Sequence, residues 1–287
     1  MKKILITGAD SYIGTSLEKW VTQWPNKYQV EIIDMKEPSW KYKNFFGYDV
    51  IFHVAGIAHV SADPKMEELY YKINRDLTIE TAVKAKNEGV KQFIFMSSII
   101  VYGDSSFINS SRVIDKNTIP KPANFYGKSK LEAEERISVL ESSEFKIVIL
   151  RPPMIYGKGS RGNYPRLANY AKRFPLFPDI ENKRSMLYID NLCEFIRLMI
   201  DNDEQGTFFP QNAEYVNTAE MVRLIADIHG KKVRLVKIFN LILKMLGRFF
   251  GVVNKAFGSL VYDMKLSEYK QNYRVRNFRD SIEITEK

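Results

Sequence analysis

Apolar residues along this chain come in short unbroken runs, separated by stretches in which they recur every three or four positions. Ile4-Leu5-Ile6 is the first run and stops at Thr7-Gly8. Ile13, Leu17, Trp20, Val21 and Trp24 then share one helical face, and Pro25-Asn26 ends it. Val30-Glu31-Ile32-Ile33 and residues 49–55 read as two more strands, the second apolar almost throughout. Pro64 opens a long helix that runs to about Glu88 and closes at Gly89. Residues 91–97 form the next strand, 123–141 a helix and 146–151 another strand. Beyond Arg151 the texture changes. Pro152, Pro153, Gly157, Gly159 and Gly162 mark irregular chain, with short helices around 165–174, 190–202 and 218–229.

Continuous apolar strands alternating with helices predict an α/β fold, a Rossmann-like doubly wound parallel sheet built from right-handed crossovers. A smaller, mixed substrate-binding part follows, with the boundary near residue 160 (1–160 and 161–287). Ligands of such sheets lie beyond the carboxyl ends of the strands, here the loops after residues 7, 34, 54, 97 and 151. The first of these loops is the most telling. Gly8 allows a positive φ, and Gly14 lets the helix pack close to the strand. Backbone N–H groups around Ser11, Tyr12 and Ile13, at the positive end of the helix dipole, suit a pyrophosphate. Asp34, twenty residues after Gly14, can accept both ribose hydroxyls of an adenine nucleotide, and Ala55 closes the third strand beside it. The reading is dinucleotide binding. The plainer alternative is a purely structural turn. Ser11 also stands where glycine usually lets the backbone approach phosphate.

Composition narrows the class. The chain has 287 residues, 45% apolar, enough for a full core. The single cysteine, Cys193, excludes an internal disulfide and reads as a buried thiol, and His53, His59 and His229 show no metal-ligand spacing. Net charge is +9, which raises nucleic acid as a partner, but no recognition helix, zinc or RNA-binding motif is present. An anionic small substrate and a basic C-terminal third account for it more simply. The apolar run after Met1-Lys2-Lys3 is too short for a signal peptide, and no run of about 18 apolar residues suggests a membrane span. The expected location is the cytoplasm.

Tyr126 and Lys130 are four apart on a predicted helix and share a face. A free tyrosine titrates near ~10, and bringing it to neutrality costs about 4 kcal/mol, part of which a nearby ammonium supplies. Such a phenol can exchange a proton with a sugar hydroxyl or ketone. Ser98 ends a strand, where its hydroxyl could hold the same oxygen. A Tyr–Lys pair on a solvated face and a serine that merely caps a turn are the plainer readings. It is the order of nucleotide turn, strand-end serine and Tyr–Lys pair that gives the combination its force.

At these residues the chain resembles the extended short-chain dehydrogenase/reductase family of nucleotide-sugar epimerases, dehydratases and reductases. The carriers are residues 7–14, Ser97-Ser98-Ile99-Ile100-Val101-Tyr102-Gly103, Tyr126-Gly127-Lys128-Ser129-Lys130 and Arg151-Pro152-Pro153-Met154-Ile155-Tyr156-Gly157. The resemblance implies that Tyr126 is the acid/base, that Ser98 orients the C4 oxygen, and that Lys130 holds the nicotinamide ribose and lowers the Tyr126 pKa. It also implies that Asp34 favours NAD, with NADP left open because Lys36 nearby could meet a 2′-phosphate. Asn74 matches an asparagine that buttresses the sheet, or is a surface residue. Family dehydratases carry an acidic pair where this chain has Ile99 and Ile100, so dehydration is not expected. Asn163 and Arg184 match positions that contact the substrate diphosphate, whereas Arg161 and Arg166 read equally well as surface residues. These stretches look most like bacterial capsule and O-antigen 4-ketoreductases acting on a UDP-2-acetamido-2,6-dideoxy-4-hexulose. The other readings are an NAD-dependent UDP-sugar 4-epimerase and a non-catalytic nucleotide sensor, which would need none of Ser98, Tyr126 and Lys130. A homodimer through helices near 64–88 and 123–141 is implied by the family alone.

Residues 235–257 are mostly apolar. Lys237, Lys244, Arg248 and Lys255 fall within about 40° of one another on a helical wheel. A narrow basic stripe of this kind fits a helix packed on the protein with only that stripe wet, or peripheral contact with the inner membrane face. Gly247 and Gly251 weaken a single continuous helix.

Overall fold

Lys2–Thr7 (β1), Tyr28–Ile33 (β2), Val50–His53 (β3), Gln92–Met96 (β4), Lys146–Leu150 (β5) and Gly206–Phe208 (β6) lie side by side in the order β6-β5-β4-β3-β1-β2. Every neighbouring pair is parallel. The apolar runs of β1, β3, β4 and β5 are buried on both faces, as a sheet covered by helices on each side requires. The doubly wound α/β sheet expected from the sequence is the sheet observed. From β1 the chain steps outward to β2, then returns to β3 on the other flank of β1. The direction of winding therefore reverses between β1 and β3, and the crevice opens beyond their carboxyl ends.

This computed structural model describes residues 1–58, 63–103, 105–106, 110–240, 243, 245, 254 and 257–287. Of the sequence expectations, His59, part of the loop after Gly56, and Lys244, Gly247, Arg248, Gly251 and Lys255 of the basic stripe lie outside the described residues. The chain divides into two compact units. The first is Met1–Gly103, Pro120–Pro152 and Leu192–Pro210; the second is Asp104–Ile119, Pro153–Asn191 and Gln211–Lys287. The single boundary expected near 160 is thus replaced by several crossings. The chain leaves the first unit after Pro152 and returns to add β6 to the sheet edge beside β5. Three residues of strand are too few to announce that return by periodicity.

The long helix expected from Pro64 is present in pieces. A 3-10 turn (Pro64–Met66) leads into α-helix (Glu67–Tyr70), a π-helical stretch (Tyr71–Asp76) and α-helix again (Leu77–Asn87). The widened turn carries Asn74, whose side chain is fully buried. π-Bulges recur where a helix must present one side chain out of register.

Among the described residues, the strands of the second unit pair as two-stranded parallel ribbons: Val113–Ile114 with Val261–Tyr262, Met154–Tyr156 with Met186–Tyr188, and Leu176–Pro178 with Arg234–Val236. Side chains tie them together. The Asn212 amide oxygen accepts from Tyr188 N (3.0 Å) and Asn191 Nδ2 (3.1 Å), while its Nδ2 donates to the Tyr156 hydroxyl (3.0 Å). Tyr156 in turn meets Ser281 Oγ at 2.5 Å. Cys193 is buried, and His229 pairs with Glu286. No helix of the described residues is long and apolar enough to cross a membrane.

Candidate functional site

β1 runs straight into Gly8, whose φ of +100° is open to glycine and strained for other residues. A Cβ there would stand 3.2 Å from the backbone of Ala55, and one on Gly14 would stand 3.0 Å from Ile6 Cγ2. Gly8 N donates to Ile33 O (2.8 Å) and Ser11 N to Gly8 O (3.0 Å). The first helix, Tyr12–Val21, is capped by Ser11, whose Oγ accepts from Gly14 N at 3.3 Å. Ser11 is therefore the N-cap. Tyr12 and Ile13 begin the helix, so their N–H groups belong to its open end.

Asp34 follows β2 and is exposed, with Oδ1 accepting from Lys36 N at 3.0 Å. The Lys36 ammonium lies 2.5 Å from Asp10 Oδ2, both side chains in solvent. The two carboxylates, the Asp10 hydrogen bond first, raise its pKa. Lys36 is thus partnered by an acid rather than standing free beside Asp34.

Beyond β3, Asn74 grips the backbone of Ile57 with both ends of its amide. Oδ1 accepts from Ile57 N (2.9 Å) and Nδ2 donates to Ile57 O (3.1 Å). Asn74 is a buttress, and the surface alternative falls. The clamp leaves Gly56 so close to the helix behind it that a Cβ would meet Asn74 Oδ1 at 3.0 Å and Lys130 Nζ at 3.3 Å.

The Phe125–Ser138 helix brings the expected pair to the strand ends. Lys130 Nζ donates to Met96 O (2.8 Å) at the end of β4 and sits 4.6 Å from the centroid of Phe95. Burial lowers its pKa to about 8, against the Glu134 charge, which raises it. Ser98 caps the 3-10 turn Ile99–Tyr102, accepting from Ile100 N at 3.3 Å, and its side chain lies beside the Tyr126 phenol. Tyr126 also lies edge-on to Tyr70, with centroids 5.7 Å apart. Burial pushes its pKa up to about 12, with Ser98 pulling it down and Tyr70 pushing it further up. The expectation that Lys130 lowers the Tyr126 pKa is corrected for this state of the protein. The ammonium is spent on Met96 O and the Phe95 ring, and burial outweighs the remaining influences.

Sequence reasoning passed over the group that fixes this helix. Glu134, one turn beyond Lys130, is buried, accepts from Ser97 Oγ and is gripped by Arg151, whose Nε stands 3.1 Å from Oε2. Arg151 Nη1 donates to the Tyr102 hydroxyl at 2.7 Å. Helical spacing held the signal: positions 126, 130 and 134 share a face.

In the second unit, Asn163 opens the Asn163–Arg173 helix and is exposed. Arg184 pairs through its backbone with Val216 (3.0 and 2.9 Å), and burial lowers the pKa of its guanidinium. Arg161 and Arg166 are exposed.

The glycine turn pinned against Ala55, the open helix end, the carboxylate after β2 and the space kept by Gly56 before Lys130 together fit a dinucleotide. Fold and turn define a dinucleotide-binding α/β protein. The chain belongs to the NAD dependent epimerase/dehydratase family, whose model matches residues 4–209, and NAD is the cofactor that goes with it. It is 31% identical to a UDP-glucose 4-epimerase of Vibrio cholerae over 92% of this chain and 88% of that one. It is 28% identical to the N-acetyl-alpha-D-glucosaminyl-diphospho-ditrans,octacis-undecaprenol 4-epimerase of Escherichia coli O157:H7, over 89% of this chain and 81% of the relative. Among solved structures, a dTDP-4-dehydrorhamnose reductase of Clostridium acetobutylicum superposes with a TM-score of 0.77 at 19% identity, covering 99% of this chain and 98% of its own. UDP-glucuronic acid 4-epimerase of Bacillus cereus, solved with NAD, gives 0.75 at 20% identity, covering 98% and 96%.

Proposed function

We propose that this chain is a nucleotide-sugar C4 oxidoreductase that reduces the ketone of a UDP-2-acetamido-2,6-dideoxy-4-hexulose, making a surface-polysaccharide precursor. The observation that carries the reading is that the Phe125–Ser138 helix sets Tyr126 and Lys130 at the carboxyl end of β4, with Lys130 Nζ on Met96 O at 2.8 Å and Ser98 beside the Tyr126 phenol. Reduction of a ketone needs a proton donor where an alkoxide develops, and a tyrosine phenol set against a strand-end hydroxyl can be that donor. Ser98 orients the C4 oxygen and Tyr126 protonates it. Lys130, fixed on Met96 O, holds the nicotinamide ribose. Gly8, Ser11, Tyr12, Ile13, Gly14 and Ala55 hold the rest of the dinucleotide, which when bound in its reduced form supplies the hydride. Asp34 accepts the adenosine ribose hydroxyls, and the pairing of Lys36 with Asp10 favours NAD over NADP. Asn163 and Arg184 take the diphosphate, for which a guanidinium fork is suited. Dimerisation through helices 64–88 and 123–141, and a cytoplasmic location, are parts of the same proposal.

The names of the Vibrio and Escherichia relatives favour a second reading, a 4-epimerase that keeps its NAD and consumes none. Incubating the chain with UDP-4-keto-6-deoxy-N-acetylglucosamine and NADH, with product identification by NMR, separates the two. One C4 alcohol formed per NADH oxidised is the expected result. Interconversion of C4 epimers of an unoxidised UDP-sugar, with no net cofactor change, would establish the epimerase instead. Tyr126→Phe should cut kcat about a thousandfold, within the range for a lost general acid. Unchanged turnover in that variant would overturn both readings.

A further inference from the structure

We infer that the second unit carries a membrane-docking face, centred on the Leu176–Pro178/Arg234–Val236 ribbon, that takes an anionic lipid surface. Leu176 and Arg234 are paired across this parallel ribbon, so their side chains leave it on the same face. Phe177, one residue on, points the other way, into the Tyr170 ring (centroids 5.2 Å apart). The outward face is apolar as well as basic. Leu176 is 42% exposed, Phe174 51% and Ile238, just beyond the ribbon, 74%. Around them stand the exposed cations Arg173, Arg234 and Lys237. Lys172 is committed to Glu286 at 2.9 Å and is left out. Essentially all of the +9 excess charge belongs to this second unit, while the first is close to neutral. Cations ringing protruding aliphatic side chains is the pattern of an interfacial surface, with the charges on headgroups and the alkyl groups at the acyl boundary.

Nucleic acid would use the same cations, but it prefers flat rings on which bases stack. Here the Phe174 ring is already stacked on Tyr170 (4.7 Å, 30°), and the most exposed apolar side chain at the ribbon, Ile238 at 74%, is aliphatic, against 37% for the neighbouring Phe239. The inference goes beyond the proposed activity and does not depend on it, because docking is read without substrate or cofactor.

The test is co-sedimentation of the full chain with vesicles of phosphatidylcholine alone or mixed with phosphatidylglycerol, at low and high salt. Binding is expected only with phosphatidylglycerol, and high salt should weaken it. The triple variant Arg173→Gln/Arg234→Gln/Lys237→Gln should bind about a hundredfold more weakly, near fivefold for each charge. Lys237→Gln alone should give the single fivefold step should the triple variant fold poorly. Leu176→Ser/Ile238→Ser should lose the part of the binding that survives high salt. Absence of phosphatidylglycerol-dependent binding at low salt would overturn the inference. So would capture by an RNA or DNA oligomer that the Leu176→Ser/Ile238→Ser variant leaves undiminished while vesicles capture nothing.

Discussion

The two units differ in what their buried polar groups do. The first, close to neutral, places a lysine and an arginine–glutamate pair under its sheet ends: Lys130, with Glu134 gripped by Arg151. The second, which holds the charge excess, ties most of its interior together with neutral amides and hydroxyls (Asn191, Gln211, Asn212, Ser185 and Ser281), with the buried Glu286 carboxylate paired to Lys172 and His229. The difference follows from the sheets. Six parallel strands supply an apolar core that tolerates buried charge, and buried charge is what acid–base chemistry needs. Two-stranded ribbons bury too little to specify themselves, so hydrogen-bonded side chains fix which ribbon meets which loop.

The largest effect should come from the ion pair. Glu134→Ala leaves the Arg151 guanidinium, its side chain 13% exposed, without a carboxylate. A loss of about 3–5 kcal/mol is expected in denaturant unfolding, because an uncompensated buried charge remains. A loss below about 1 kcal/mol would show that the pair contributes nothing beyond an exposed one and would remove the contrast between the units.

Lys130→Met should move stability the other way while ending turnover. The folded chain releases the Lys130 proton at about 8, against 10.5 for an ordinary lysine. Between these values the unfolded chain binds more protons, so the stability of the native protein rises with pH across that window. Below it the folded state carries the full cost of a buried charge, about 3 kcal/mol, since each tenfold change in a proton equilibrium is worth ~1.4 kcal/mol. The methionine variant should gain about that much at neutral pH and lack the rise between pH ~8 and ~10.5. Identical pH–stability curves for the two proteins would sink the assignment. A site group whose removal stabilises the fold marks function held against stability.

The same contrast governs what could be read from the chain. The strands of the first unit are mostly runs of four to six residues, and the sheet type, the glycine turn and the Tyr–Lys pair were legible in the sequence. The Glu134–Arg151–Ser97 cluster was not, because nothing in a helix pattern says which buried acid meets which arginine. Nor was the Tyr126 pKa, which depends on burial that spacing does not encode. In the second unit, strands of two or three residues carry no period. Asn212, which joins Tyr156, Tyr188 and Asn191, reads in sequence as an ordinary loop residue before a helix. The helices there were legible, at Asn163–Arg173 and Thr218–Ile228, because each spans three turns.

The smallest expected effect tests the second unit's own logic. Ser281 Oγ donates to Phe278 O at 2.6 Å, so at the 2.5 Å contact the Tyr156 hydroxyl is the donor and Ser281 the acceptor. The same hydroxyl accepts from Asn212 Nδ2 at 3.0 Å. Tyr156→Phe removes both bonds and leaves a buried amide proton unmet, which should cost about 1–3 kcal/mol. The loss should be local. Amide exchange should quicken at Met186–Tyr188, which pairs with Met154–Tyr156, and stay slow in β1, β3 and β4. If protection fell equally in the six-stranded sheet, the hydroxyl network would be one part of a single cooperative core, and the distinction between a unit held by apolar strands and a unit held by side-chain hydrogen bonds would fail.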